Sequence, residues 1–353
     1  VTSPSWKTQY AEIRPKYEAY EKKLKELVET VLTHAKIDVV QVEGRVKTLD
    51  SFAEKIDRKD GKYTDPLKDM TDLVGLRIIA YYVEDVEQIA ALLRSQFTVL
   101  EEHSANKQDA LAPDQFGYAS NHLVIRLGND RCSLPEWSRY ADIAVELQVR
   151  TTLQHAWAAV HHKLSYKRAE EVPTSLQRRL FRLSALFEMA DEQFSAIRTA
   201  ASELSDEYSD NVKQGNLDIE IDADSLGAYL RNSPKVALIR RVASEDFNHE
   251  IPADDSFRSE LIQLATHLGA KTIDEFDRLL PGDAETITSV LTAGGRTYRS
   301  VYAALAIFCA ALHPVDEDFY KSLFAKSSWP IILEIKAKLG EPGQAGSPDQ
   351  VSR

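Results

Sequence analysis

The stretch Phe116-Gly117-Tyr118-Ala119-Ser120-Asn121-His122, followed further on by Val145-Glu146-Leu147-Gln148-Val149-Arg150-Thr151, decides how this chain folds. Side chains alternate across a strand, so the first run puts Tyr118, Ser120, His122 and Arg126 on one face and Leu123, Ile125 and Leu127 on the other. The second repeats the pattern, with Ile143, Val145, Leu147 and Val149 on the apolar side and Glu146, Gln148 and Arg150 opposite. Two strands that each offer an apolar face and a polar face predict a sheet covered on one side. The other side then carries an aromatic ring, a histidine, an acid, an amide and an arginine, the composition of a binding site.

Upstream, Ile37 to Val46 alternates and is rich in valine, which predicts a first strand carrying Arg45 and Lys47 at its end, and a helix starts within Ser51 to Lys55. Positive charge concentrated at Arg45, Lys47 and Lys55 suits a polyphosphate; an exposed basic edge is the alternative. Asp60-Gly61 marks a turn, and Asp72 and Gly75 lead into a strand at Leu76 to Tyr82. Asp72 read alone is a turn or capping residue, but its pairing with Glu146 makes both metal-ligand candidates. A helix over Glu84 to Ser95 and a strand at Phe97 to Glu102 follow. Strands alternating with helices predict an α/β or α+β sandwich built on a small mixed sheet. Ser104 to Gln115 is polar and without period, which predicts a mobile loop beside the site, and Asn129 to Ala141 an irregular hairpin connection.

The flanks are helical. Trp6, Tyr10, Ile13, Tyr17, Tyr20, Leu24, Leu27 and Val31 form one apolar stripe. A helix from Thr152 to Tyr166 places Leu153, Ala156, Trp157, Val160 and Leu164 on one face, with His155, His161 and His162 off it. These histidines lack a carboxylate at metal-ligand spacing, which argues against zinc. A long helix from Thr174 to Tyr208 carries Leu176, Leu180, Leu183, Phe187, Ala190, Phe194 and Ile197 as its expected core stripe. Lys213-Gln214-Gly215-Asn216 reads as a boundary. Helical patterns then occupy 223–230, 256–268, 273–280, 284–291, 298–312 and 318–326, and a Gly/Pro/Ser-rich tail expected to be disordered runs over 340–353. The expected domains are thus 1–213, with its core at about 10–170, and 216–339, the latter helical and without a catalytic constellation. Regulation, assembly into a homo-oligomer and partner binding are its readings.

The motifs Asp72-Leu73-Val74-Gly75-Leu76-Arg77, Gly117-Tyr118-Ala119-Ser120-Asn121-His122 and Glu146-Leu147-Gln148-Val149-Arg150-Thr151, standing in this order behind a strand with Arg45 and Lys47, resemble the synthetase domain of the RelA/SpoT family of (p)ppGpp synthetases. The resemblance covers roughly residues 10 to 170. It implies a nucleotidyltransferase-like mixed sheet and transfer of pyrophosphate from ATP to the 3′-hydroxyl of GDP or GTP. Arg45, Lys47, Ser51, Lys55 and Arg77 would bind ATP. Tyr118, Ser120, His122, Gln148 and His155 would bind the acceptor, and Asp72 and Glu146 would be the catalytic pair holding Mg²⁺. Many family members place a lysine shortly before the Gly-Tyr, whereas this chain has Pro113-Asp114-Gln115-Phe116 and its nearest lysine is Lys107, which leaves the acceptor open. Pyrophosphorylation of the tRNA 3′ end, formation of an adenosine alarmone, and a non-catalytic nucleotide-binding regulator are the alternatives. No hydrolase-type His-Asp pattern precedes these motifs.

Composition narrows the class. The 353 residues are 43% hydrophobic, enough for buried cores, and the net charge of −12 argues against a general nucleic-acid binder. Two cysteines, Cys132 and Cys309, give no disulfide framework, so a reducing cytoplasm is the expected compartment. No membrane segment is expected: the longest apolar run, Val301 to Leu312, is too short to span a bilayer and predicts a buried helix.

Overall fold

The computed structural model describes residues 5–59, 63–106, 120–165, 174–252, 255–294 and 300–340. It divides into two compact units, Val1–Arg198 and Thr199–Arg353. The division falls within a long helix, ahead of the boundary that the sequence suggests at Gly215.

The first unit runs α1 (Trp6–His34), β1 (Val39–Val46), α2 (Leu49–Arg58), α3 (Pro66–Asp69), β2 (Val74–Ala80), α4 (Val83–Gln96), β3 (Phe97–Val99), β4 (Ala105–Asn106), β5 (Asn121–Leu127), α5 (Asn129–Cys132), α6 (Pro135–Ser138), β6 (Val145–Thr151), α7 (Thr152–Ser165) and most of α8 (Thr174–Gln214). The sheet order is β1-β2-β6-β5-β3, with β4 paired to β5. Among the described strands only the β2–β6 pair is parallel, so the expected mixed sheet with flanking helices is what forms. The tight turn expected at Asp60-Gly61 and the loop over 107–115 lie outside the described residues. The connection read as irregular between β5 and β6 contains the two short helices α5 and α6.

Alternation settles which sheet face is core. Leu76, Ile78, Leu147, Val149, Leu123 and Ile125 are buried with the apolar faces of α1 and α4 in one cluster. Tyr10 stacks on Phe52 of α2 at a centroid distance of 4.4 Å, and Tyr20 stacks on Tyr140 at 4.7 Å. The stripe of α1 is corrected in its later turns, where Val28 and Leu32 are buried rather than Leu27 and Val31. A stripe written in steps of three and four follows a period of 3.5, whereas a straight helix turns every 3.6 residues, so the buried line drifts by a position along eight turns.

Two expected apolar faces are not core. In α7, Gln154 is buried, accepting from the Thr151 backbone N–H at 2.9 Å, while Val160 is exposed. In α8 the residues turned inward are Ser184, Asp191 and Ser195, whereas Leu176, Leu183, Phe194 and Ile197 are exposed. Polar bonds account for that choice: Thr151 Oγ1 donates to Asp191 Oδ2 at 2.6 Å, Ser195 Oγ to Glu84 Oε2 at 2.9 Å, and Arg198 NH1 to the buried Asp85 at 2.6 Å.

The second unit holds the end of α8, then α9 (Ala223–Asn232), α10 (Pro234–Phe247), α11 (Arg258–His267), α12 (Ile273–Leu279), α13 (Ala284–Gly294), α14 (Val301–Leu312), α15 (Glu317–Leu323) and α16 (Trp329–Gly340). Helices α10 and α16 were not legible in the sequence. As its continuous apolar run predicts, α14 is buried nearly all round and centres a second hydrophobic core. No helix among the described residues is long and apolar enough to cross a membrane. The tail expected over 341–353 lies outside the described residues.

Candidate active site

The polar face of the sheet, opposite α1 and α4, is where the motif side chains converge. The register puts Glu43, Arg77, Gln148 and His122 in one row across β1, β2, β6 and β5, and Arg45, Gly75 and Glu146 in the next. Glu43, Gly44, Arg45, Gly75, Arg77, Glu146 and Gln148 line an open concavity of about 320 Å³. The Arg45 side chain lies beside Gly75, its Nε at 3.4 Å from where a Cβ would stand, which is ordinary contact distance.

Asp72 stands in the turn before β2. Its Oδ2 accepts from Lys55 Nζ at 2.7 Å and pairs with Lys47 Nζ at 2.9 Å, while Oδ1 is buried with no hydrogen-bond partner among the described residues. Local structure holds both lysines. The Lys47 N–H donates to Leu73 O at 2.9 Å, and its carbonyl accepts from Tyr10 Oη at 2.8 Å. Lys55 sits one turn after Ser51 on α2, whose start is capped by Thr48. Ser51 itself is exposed, with its hydroxyl at 2.9 Å from Thr48 Oγ1. Burial pushes the Asp72 carboxyl up, but hydrogen bonds and charge from Lys55 and Lys47 outweigh it and hold the carboxyl below its usual range.

Glu146 ends a second polar chain. Its Oε1 lies 2.8 Å from His122 Nδ1, and His122 Nε2 lies 2.7 Å from Ser120 Oγ. An ionised carboxylate can only accept, so Nδ1 carries the proton and, in the neutral ring, Nε2 accepts from the serine hydroxyl. Gln148 Nε2 also donates to Glu146 at 3.4 Å. The hydrogen bond from His122 lowers the Glu146 carboxyl against the cost of burial, and Asp72, close enough to be felt, raises it slightly.

Arginines crowd the rest. Arg77 NH1 donates to Glu43 Oε2 at 2.7 Å, and its Nε is buried without a hydrogen-bond partner among the described residues. Arg150, only 6% exposed, donates from NH2 to Gln148 Oε1 at 2.8 Å and leaves its own Nε unpaired among those residues. Burial and the neighbouring Arg77 push the Arg150 guanidinium down to about 10. Burial, with Arg150 and Arg77 beside it, likewise lowers His155. Glu43 and Arg150 join this site without being expected there from the sequence motifs. Arg150 lay on the predicted polar face, and Glu43 alternates with Arg45, so the period-two pattern was the signal for both. Of the site residues expected from the sequence, Arg45, Lys47, Lys55, Asp72, Arg77, Ser120, His122, Glu146, Gln148 and His155 gather at this face and its rim. Tyr118, like Gly117 and Tyr166, lies outside the described residues. Among those residues no group of three or more His, Cys, Asp or Glu is placed to cage a metal.

The model of the region found in RelA/SpoT proteins matches residues 44–171, which include Arg45, Asp72, Arg77 and Glu146. The GTP pyrophosphokinase YjbM of Bacillus subtilis is 33% identical over 173 residues, 48% of this chain and 76% of that protein. This chain belongs to the RelA/SpoT family. A second relative, the GTP pyrophosphokinase YwaC of the same organism, is 25% identical over 170 residues, 47% of this chain and 77% of that protein. The crystal structure of the small alarmone synthetase 1 from Bacillus subtilis aligns with a TM-score of 0.47 at 28% identity, covering 56% of this chain and 99% of that one. The RelA/SpoT match ends before α8, so the family assignment concerns the sheet and its polar face.

Proposed function

We propose that this RelA/SpoT protein is a pyrophosphokinase that transfers pyrophosphate from ATP to the 3′-hydroxyl of GDP or GTP, making (p)ppGpp. The observation that carries the reading is the pair of carboxylates, Glu146 on the polar sheet face and Asp72 in the turn before β2 close enough to raise it, beside arginines short of acceptors among the described residues. The relatives named GTP pyrophosphokinase support the choice of donor and acceptor.

In this reaction the acceptor 3′-oxygen bonds to the β-phosphorus of ATP, the bond from that phosphorus to the α,β-bridging oxygen breaks, and AMP leaves. Glu146, ionised and held by His122, faces the acceptor hydroxyl and takes its proton. Arg45, Arg77 and Arg150 supply donors to the phosphate oxygens, which take up the Arg77 and Arg150 donors left without a partner among the described residues. Lys47 and Lys55 keep Asp72 ionised and oriented. Mg²⁺ is usually bound by one or two carboxylates plus substrate phosphates, and the unpaired Oδ1 of Asp72 with the nearby Glu146 fits that donor set. When bound, the ion supplies positive charge against the phosphate oxygens. Tyr118 is the acceptor-stacking ring in this proposal.

Incubation of the purified protein with labelled ATP and, separately, GDP, GTP, ATP and bulk tRNA tests the reading. Labelled (p)ppGpp is the expected product. Label transferred only to tRNA or to an adenine nucleotide rejects the guanine acceptor, and no transfer to any acceptor rejects the activity.

A further inference from the structure

Helix α1 precedes the RelA/SpoT match, which begins at residue 44, yet one of its side chains reaches both supports of the lysine pair on Asp72. Tyr10, fully buried, donates from Oη to the Lys47 carbonyl at 2.8 Å and lays its ring on Phe52 at 4.4 Å, with 26° between the planes. Phe52, also fully buried, stands three residues before Lys55 on α2, so the two occupy neighbouring turns of that helix. On its other side Lys47 is held by Leu73 O, which accepts from its N–H at 2.9 Å and is next in the chain to Asp72. A single tyrosine thus touches the strand end that carries one lysine and the helix that carries the other. Both ammonium groups then meet on Asp72 Oδ2, at 2.9 and 2.7 Å. Packing alone would need only a phenyl ring, whereas this hydroxyl is aimed at a backbone acceptor inside the site. Burial raises the Tyr10 phenol to about 12, so it keeps its proton and donates across the neutral range. The Lys47 carbonyl also accepts from Arg14 Nε, at the longer distance of 3.3 Å.

We propose that Tyr10 is a positioning residue of this site: through the Lys47 carbonyl and the Phe52 ring it fixes where the two lysine ammonium groups stand, and so sets the affinity for the ATP triphosphate. The proposal rests on the pyrophosphokinase reading above. A lysine ammonium is a point charge on a flexible stem, so its place is set by the anchoring of its backbone and by its ionic partner. In the protein alone that partner is Asp72 for both. An entering triphosphate takes over part of this pairing, and the stems turn towards it while one buried ring keeps the strand end and the helix in register. Errors of about 1 Å are enough to spoil such positioning. The pair from Lys7 to Asp50 at 2.8 Å also joins α1 to α2, but Asp50 is 93% exposed, and a solvated pair of this kind holds little. Ser120, His122 and Gln148, expected on the acceptor side, make no contact with Tyr10, so its effect falls on ATP and spares the acceptor.

Tyr10→Phe keeps the ring on Phe52 and removes only the hydroxyl. Titration calorimetry on the full chain with a non-hydrolysable ATP analogue is expected to show affinity lowered about three- to tenfold, the size of one lost hydrogen bond. In turnover, KM for ATP should rise by the same factor while kcat and KM for GDP hold, because the lysines bind phosphates before and during transfer alike. A double-mutant cycle separates positioning from packing: in a Lys47→Met background, removal of the hydroxyl should no longer change analogue affinity, since the ammonium it places is gone. The ring is read in the same way, with Phe52→Leu weakening the analogue in the wild-type background and not in Lys55→Met. Unchanged analogue affinity in Tyr10→Phe, or an equal loss in both Lys47 backgrounds, overturns the positioning role. Since the calorimetry needs no transfer, a protein that shows the coupling but makes no (p)ppGpp keeps the positioning and rejects the reaction, whereas (p)ppGpp synthesis with wild-type KM for ATP in Tyr10→Phe does the reverse.

Discussion

Replacing Arg150 by methionine separates the demands of folding from those of binding. The guanidinium is almost fully buried, and burial beside Arg77 takes it from 12.5 to about 10. At about 1.4 kcal/mol per pH unit this corresponds to roughly 3 kcal/mol against the charged form in the protein without ligand. Methionine keeps the length of the stem and removes the charge, losing the hydrogen bond to Gln148, worth about 1 kcal/mol. The balance favours the variant by about 1–2 kcal/mol, the direction seen when buried charges give way to apolar residues of similar size. A unit of this size then melts roughly 2–8 °C higher. Binding moves the other way: one charge-assisted contact to phosphate, about 1.5–3 kcal/mol, weakens affinity for a non-hydrolysable ATP analogue by about tenfold or more. Differential scanning fluorimetry with and without the analogue reads both effects. A variant that melts lower and binds the analogue as tightly as wild type refutes the reasoning, because Arg150 would then be a packing residue.

Asp72→Asn should abolish transfer and also destabilise the protein by about 2 kcal/mol, since Lys47 and Lys55, which now share one carboxylate, would face each other half-buried; normal turnover would sink its place in the mechanism. Asp72 and Glu146 both have folded-state carboxyls held below their ordinary values of 3.8 and 4.5, so the stability they add is complete above about pH 5 and is lost as pH falls through the lowered values. Acid titration of unfolding should therefore be shallower for Glu146→Gln, and an unchanged acid limb would contradict the His122 bond as its cause. Ser120→Ala is expected to lower turnover several-fold by freeing the His122 ring, with KM for ATP little changed; a loss confined to ATP binding would place Ser120 with the other nucleotide. In the helical unit, Tyr229→Phe removes the 2.6 Å hydrogen bond to Asp277 and should cost about 1–2 kcal/mol in that unit's unfolding. Loss of activity at constant folding would give the residue a role the structure does not suggest.

By itself the sequence determined the sheet and the chemistry of its open face. Alternation is a local property of a strand, so Glu146 and Gln148 had to share a face, as had Ser120 and His122, and the apolar partners Leu147, Val149, Leu123 and Ile125 had to share the other. Tertiary structure decided what those side chains meet. That Glu43 answers Arg77 depends on the antiparallel register of β1 on β2, and that Arg150 is crowded by Arg77 depends on β6 lying beside β2, neither of which any local pattern encodes. It also decided which face of α8 turns inward. Periodicity marks an apolar stripe but not its partner, and the hydrogen bonds from Thr151 and to Asp85 outbid that stripe for the domain's own surface, leaving Leu176, Leu183, Phe194 and Ile197 exposed.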